Sequence, residues 1–150
     1  LLAGGCPEKL EKKIKEGDSM FVFDNTINFL STSVLAGLTG VAAGTALALK
    51  MQNKDNKVWC FVGDGAEDEG HFYEAVSFVD GWDLPCTFVV EDNDRQVDTS
   101  KVERRGKSTI IEWPSCVTRY EYVPTYPHAS TGSGKMVKFK EEVIKRYKNG

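Results

Sequence analysis

Two apolar runs set the pattern of this chain: Val58-Trp59-Cys60-Phe61-Val62 and Thr87-Phe88-Val89-Val90. Each has the length and the β-branched or aromatic content of a buried parallel strand. Between them Phe72, Ala75, Val76 and Val79 recur at helical spacing, which predicts a helix that follows Ala66-Glu67-Asp68-Glu69-Gly70 and runs to about Val79, ended by Gly81. Glu67, Asp68 and Glu69 fall at its start, where the helix dipole favours acids. Strand, helix, strand predicts a βαβ unit with a right-handed crossover. Parallel strands then place Asp64 and Asn93 at one carboxyl-terminal sheet edge, where ligands bind in open α/β sheets. Neighbouring strands lie roughly 4.8 Å apart. From there a carboxylate and an amide oxygen can share one divalent cation at ~2.1 Å each.

The other segments are plainer. Residues 8–16 predict a short, charge-rich surface helix after Pro7, stopped by Gly17. Met20 to Phe23 is a brief apolar run, read as a strand or an entry loop. Ser33 to Leu49 carries no charge but holds Gly37, Thr39, Gly40, Gly44 and Thr45. It is too short and too weakly apolar for a membrane helix, which wants about 20 residues. A buried helix is expected, with Gly40 and Gly44 on one face permitting close approach of another backbone. Asn53 to Asn56 forms the following turn. After Asn93 the chain turns polar. Lys101, Arg104, Arg105 and Lys107 read as a solvated loop by default, with an anion-contacting loop as the alternative. Ile110-Ile111 and Val117 to Val123 suggest further strands, with Tyr120 and Tyr122 on one face. The last segment, Lys135 to Lys148, is amphipathic through Met136, Phe139, Val143 and Tyr147.

Composition adds bounds. At 150 residues, 41% hydrophobic and 27% charged, the chain suits one globular domain with its own core. A net charge of −3 gives no bulk case for nucleic acid or for an anionic membrane. The first residue is Leu1, so a fragment or a processed chain is expected, and no signal-peptide pattern is present. Cys6, Cys60, Cys86 and Cys116 form no close pair, which argues against a zinc site. Free thiols in strands behave as small apolar groups, and a reducing cytoplasm is the expected location.

The candidate chemistry turns on phosphate. A P-loop fails: around Gly134-Lys135 the first glycine position is Ala129 and the hydroxyl position is Met136. The dinucleotide fingerprint fails at its third glycine, where Asp68 stands. Asp64 would also face a pyrophosphate with nothing between the two negative groups, so a cation bridge is needed. Mg2+ or Ca2+ accepts carboxylate, amide, carbonyl and phosphate oxygens. The backbone amides after Gly65 suit the phosphate itself.

Gly63-Asp64-Gly65-Ala66, Glu69-Gly70, Glu74-Ala75, Leu84-Pro85 and Phe88 to Asn93 together resemble the thiamine diphosphate enzymes. The likeness is greatest to the alpha chain of the 2-oxo acid dehydrogenase first component. It covers residues 20 to 105 well and the last third loosely. It implies a doubly wound, mostly parallel α/β sheet with helices on both faces, here as a single diphosphate-binding domain over residues 1–150. It also implies thiamine diphosphate with Mg2+ (or Ca2+) bound by Asp64, Asn93 and the main chain of Arg95. Gly63, Gly65 and Ala66 would line the cofactor, and Ser33 and Leu35 would approach it through main-chain atoms. Tyr126-Pro127-His128-Ala129-Ser130 resembles a family Tyr-His-Gly-His-Ser segment, so His128 would contact the diphosphate and face the active centre as a catalytic group.

Activation in the family uses a Glu on a pyrimidine-binding domain that is not found in these residues. The likeness therefore implies a beta-type partner chain carrying that domain, self-association into a two-plus-two assembly, and a 2-oxo acid or ketose substrate. A transketolase-type ketol transferase is the alternative, since Gln96-Val97-Asp98 resembles that family's segment. A non-catalytic cofactor-binding or assembly subunit is a third reading. One departure stands at Asp92, where the family has Asn: the added charge either tightens the cation or repels the diphosphate. His71 is expected to have a surface or packing role.

Overall fold

A computed structural model describes residues 4–18, 21–97, 99–107 and 110–123. The elements run α1 (Pro7–Lys15), β1 (Phe23–Asp24), β2 (Phe29–Leu30), α2 (Thr39–Met51), β3 (Val58–Gly63), a 3-10 turn (Asp64–Asp68) and α3 (Gly70–Gly81). Then come β4 (Cys86–Asp92), β5 (Arg95–Gln96), β6 (Thr99–Ser100), α4 (Lys101–Arg105) and β7 (Val117–Glu121). Among the described residues no helix is long and apolar enough to cross a membrane.

The central sheet has the order β3-β4-β7, parallel throughout. Val58 pairs with Cys86 and Gly63 with Glu91, so both strands end at one edge, as the motif spacing predicts. β1 and β2, like β5 and β6, form small antiparallel pairs. The architecture is α/β.

The core lies between the sheet and the helices α2 and α3. From the strands it takes Cys60, Val62, Phe88 and Val90. From α3 it takes Phe72, Ala75, Val76 and Val79, the four residues whose spacing predicts the helix. Phe72 is fully buried and meets Phe88 and Trp113 edge-to-face, with centroids 5.5 and 5.1 Å away. Both helices cover the same sheet face. On the other face Trp59 and Phe61 are 58% and 62% exposed. The expectation of two fully buried strands thus holds for β4 but not for β3, an edge strand with alternating burial.

Other expectations need correction. α2 packs through Thr39, Ala42, Ala43 and Ala46. Gly40 and Gly44 are exposed, and a Cβ on either would meet nothing within 4 Å. The glycine face is therefore not the packing face within this chain. Ile110-Ile111 is not a strand, although β7 forms within Val117 to Val123, where a strand is expected. The Lys135–Lys148 segment lies outside the described residues.

Candidate functional site

Asp64 follows the last residue of β3 and opens the 3-10 turn. Asn93 follows β4 directly. Because β3 and β4 are adjacent and parallel, both emerge at the carboxyl edge. The α3 helix begins at Gly70, where the sequence places it. Of the acids expected at its start, Glu69 is the N-cap, and Glu67 and Asp68 lie in the 3-10 turn just before it, where Asp64, Gly65, Ala66 and Glu67 are all buried.

Gly65 is required by its neighbour. A Cβ there would come within 2.8 Å of the Gln96 Cγ and 2.9 Å of its Cβ. Gly63 has open space beside it, so a close approach from outside meets no side chain of this chain. Asn93 Oδ1 accepts the Arg95 amide at 3.0 Å, an Asx turn that bends the chain back toward the edge. Asp94 then takes a left-handed φ of 62°. Ser33 and Leu35 sit in the exposed loop before α2. The Leu35 carbonyl lies 2.9 Å from His71 Nε2, which ties that loop to the first turn of α3. His71 thus holds two segments together, matching the packing role expected for it. His128 lies outside the described residues, as do Tyr126, Pro127 and Asp98.

The structure overturns the solvated-loop reading of the basic cluster. Ser100 caps α4: its hydroxyl accepts the Glu103 amide at 3.3 Å, and the Glu103 carboxylate accepts the Ser100 amide at 2.7 Å. Gly106, at φ 72°, ends the helix. This places Arg104 and Arg105 against the acidic turn and Lys101 against Asp92 at the end of β4. Arg104 Nη2 is 2.8 Å from Asp64 Oδ2, its Nε is 2.7 Å from Asp68 Oδ2, and its Nη1 donates to the Thr99 carbonyl at 3.0 Å. Arg105 reaches Asp68 at 2.5 Å and Glu67 at 3.2 Å. Lys107 alone of the four stays exposed outside the helix.

Arg119 extends from the middle of β7 and bridges Glu67 and Asp92. Asp92 also pairs with the buried Lys101 at 2.5 Å and accepts the Asp94 amide at 2.9 Å. Glu67, fully buried, receives the Trp113 indole N–H at 2.7 Å as well. Burial pushes the Asp92 carboxyl up, but the hydrogen bonds from Lys101 and the Asp94 amide and the nearby cations outweigh it and hold it below its ordinary value. Asp68 behaves the same way through Arg104 and Arg105. Burial depresses Arg104, yet the bonds to Asp64 and Asp68 raise it overall. Asp92's extra charge is therefore absorbed inside the protein, neither left bare nor turned outward. Two signals in the sequence point to this network: the Ser-x-x-Glu capping box at Ser100 to Glu103, and an arginine in the middle of an expected strand, which needs a counter-charge wherever that face is covered.

Among the described residues one buried side-chain polar atom stays unmatched. Asp64 is fully buried, and its Oδ1 has no hydrogen-bond partner. A buried carboxylate oxygen without a donor is costly and is suited to receive a cation. Among the described residues no three His, Cys, Asp or Glu side chains converge to hold a metal. A cation there needs amide, carbonyl and ligand oxygens besides this one carboxylate, a donor set suited to Mg2+ or Ca2+.

Residues 7–114 match the family described as the dehydrogenase E1 component. The pyruvate dehydrogenase E1 component subunit alpha of Staphylococcus aureus (strain Mu50) is 30% identical over 91 residues, covering 60% of this chain and 25% of that protein. The protein of the same description from Staphylococcus epidermidis (strain RP62A) is 28% identical over the same coverage. The chain thus spans about a quarter of the length of these relatives.

Proposed function

This chain belongs to the dehydrogenase E1 component family, and from that premise we propose that it is the diphosphate- and metal-holding part of a thiamine diphosphate-dependent 2-oxo acid dehydrogenase. The observation that carries the reading is the buried, partnerless Asp64 Oδ1 at the carboxyl edge of two adjacent parallel strands. Asp64, the Asn93 amide oxygen and the Arg95 carbonyl would hold Mg2+ (or Ca2+). The backbone after Gly63 would face the diphosphate, with Gly65 and Ala66 keeping it clear of side chains. Ser33 and Leu35 would approach the cofactor through main-chain atoms from the loop that His71 holds in place. His128 would contact the diphosphate as the catalytic group on this chain. The cofactor, when bound, supplies the nucleophile that attacks the substrate carbonyl. This chain's residues bind, orient and shield it.

The proposal extends beyond these residues. A beta-type partner with a pyrimidine-binding domain would complete the site, in a two-plus-two assembly in the cytoplasm. Further helices over Trp59 and Phe61 would make the sheet doubly wound. Calorimetry of the full chain, with any chain that copurifies, tests the reading with thiamine diphosphate and Mg2+. Binding that needs the metal and disappears in Asp64→Ala is the expected result. Metal-dependent binding that survives Asp64→Ala would overturn the site. Assaying the complex on 2-oxo acids and on ketose phosphates separates the dehydrogenase from a transketolase-type transferase: turnover of ketose phosphate alone refutes the reading.

A further inference from the structure

We propose that Arg104 is a built-in counter-cation of Asp64, so that the site takes up a divalent ion only together with a diphosphate. The inference rests on the cofactor reading above. It concerns how the site's charge is balanced, which no part of that reading assigns.

The geometry divides the Asp64 carboxylate in two. Oδ2 holds Arg104 at 2.8 Å, and Oδ1 holds nothing. Arg104 is not a side chain that swings aside. Its Nε is fastened to Asp68 and its Nη1 to the Thr99 carbonyl, and its side chain is 8% exposed. The capping box and Gly106 fix the helix that carries it. An ion arriving at Oδ1 therefore meets a guanidinium already seated on the same carboxylate.

The surroundings are already balanced. Asp64, Glu67, Asp68 and Asp92 pair with Lys101, Arg104, Arg105 and Arg119, four acids against four bases, with Asp94 only at the solvent-exposed rim, 4.0 Å from Lys101. A bare divalent ion would leave this buried cluster with two uncompensated positive charges, which a low-dielectric setting penalises. A divalent ion that brings a diphosphate carries about one net negative charge, because the phosphate oxygens supply its remaining hard ligands. The neutral cluster thus selects the pair over the ion. Arg104 is a positioning residue here: it acts on the cation through Asp64 and does not need to touch the cofactor.

Mn2+ titrations followed by electron paramagnetic resonance test this on the full chain with any chain that copurifies. The ion is added alone, with inorganic pyrophosphate, and with thiamine diphosphate. In the wild type, Mn2+ alone should bind at least about tenfold more weakly than with either diphosphate, the order of one uncompensated interaction. Arg104→Gln should tighten Mn2+ alone at least about tenfold and shrink the synergy with pyrophosphate by the same factor. Arg104→Lys, which keeps the charge, should restore the wild-type pattern. Arg104→Met keeps the aliphatic stem and serves as a second charge-free variant where the glutamine form does not fold. Unchanged or weaker binding of Mn2+ alone in a folded charge-free variant overturns the proposal. So does a wild type that binds Mn2+ equally well with and without diphosphate, a result that needs no variant and leaves the cofactor reading intact. A wild type that takes no Mn2+ even with thiamine diphosphate defeats the cofactor reading itself, and this inference with it.

Discussion

Asp92→Asn is the substitution most at odds with a reading by likeness alone. The resemblance places Asn at this position, so it suggests a harmless change. The structure says otherwise. Asp92 is 2% exposed and meets Lys101 at 2.5 Å and Arg119 on the same oxygen. Lys101 is 4% exposed and has its other acidic neighbour, Asp94, only at 4.0 Å. Removing one partner of a buried ion pair costs about 3–5 kcal/mol, because the other charge is left unmatched. Asparagine keeps one acceptor oxygen but presents its NH2 group to a cation, so the low end, about 3 kcal/mol, is expected. In urea, with a slope of about 1–3 kcal/mol per molar, the unfolding midpoint should fall by about 1–3 M.

The pH dependence gives a second reading of the same contact. The folded Asp92 carboxyl lies below its ordinary value. Its stabilising contribution is therefore fully present above the unfolded value of about 3.9 and is lost as pH falls through the lower folded value. The gap between wild type and Asp92→Asn should be widest near neutrality and close under strong acid. Lys101→Met in the Asp92→Asn background should recover part of the loss, as removal of both partners often does. A variant whose neutral-pH midpoint stays within about 0.5 kcal/mol of wild type would refute the reasoning.

Two further outcomes follow from the core. Phe72→Ala removes a fully buried ring that contacts both Phe88 and Trp113, so it should cost about 3–5 kcal/mol in a urea melt; a loss under about 1 kcal/mol would mean α3 does not anchor the sheet. Burial pushes the Cys60 and Cys86 thiols up to about 11 and about 12, whereas Cys6 is exposed. At pH 8 a disulfide reagent should therefore label Cys6 quickly and reach Cys60 and Cys86 only after unfolding; rapid labelling of Cys86 in the native protein would contradict the strand assignment.

The sequence by itself determined the βαβ unit, the apolar face of α3 and the shared edge of Asp64 and Asn93. These depend on short-range signals: strand-length apolar runs, helical spacing over Phe72 to Val79, and glycines bracketing an aspartate. Only the tertiary structure decided where the charges go. The basic residues at 101–105 look like a solvated loop until α4 is laid against the 3-10 turn, a contact between residues about 40 apart in sequence. Arg119 meets Glu67 and Asp92 because β7 adds beside β4, in a register that puts it opposite Val90. Periodicity marks a buried face, but it cannot name the neighbour across it. Gly40 and Gly44 show the same limit from the other side: their spacing is local, and the open space beside them is not. Long-range pairing selects among partners distant in sequence, and in this chain that selection leaves Asp64 with one oxygen paired and one still waiting.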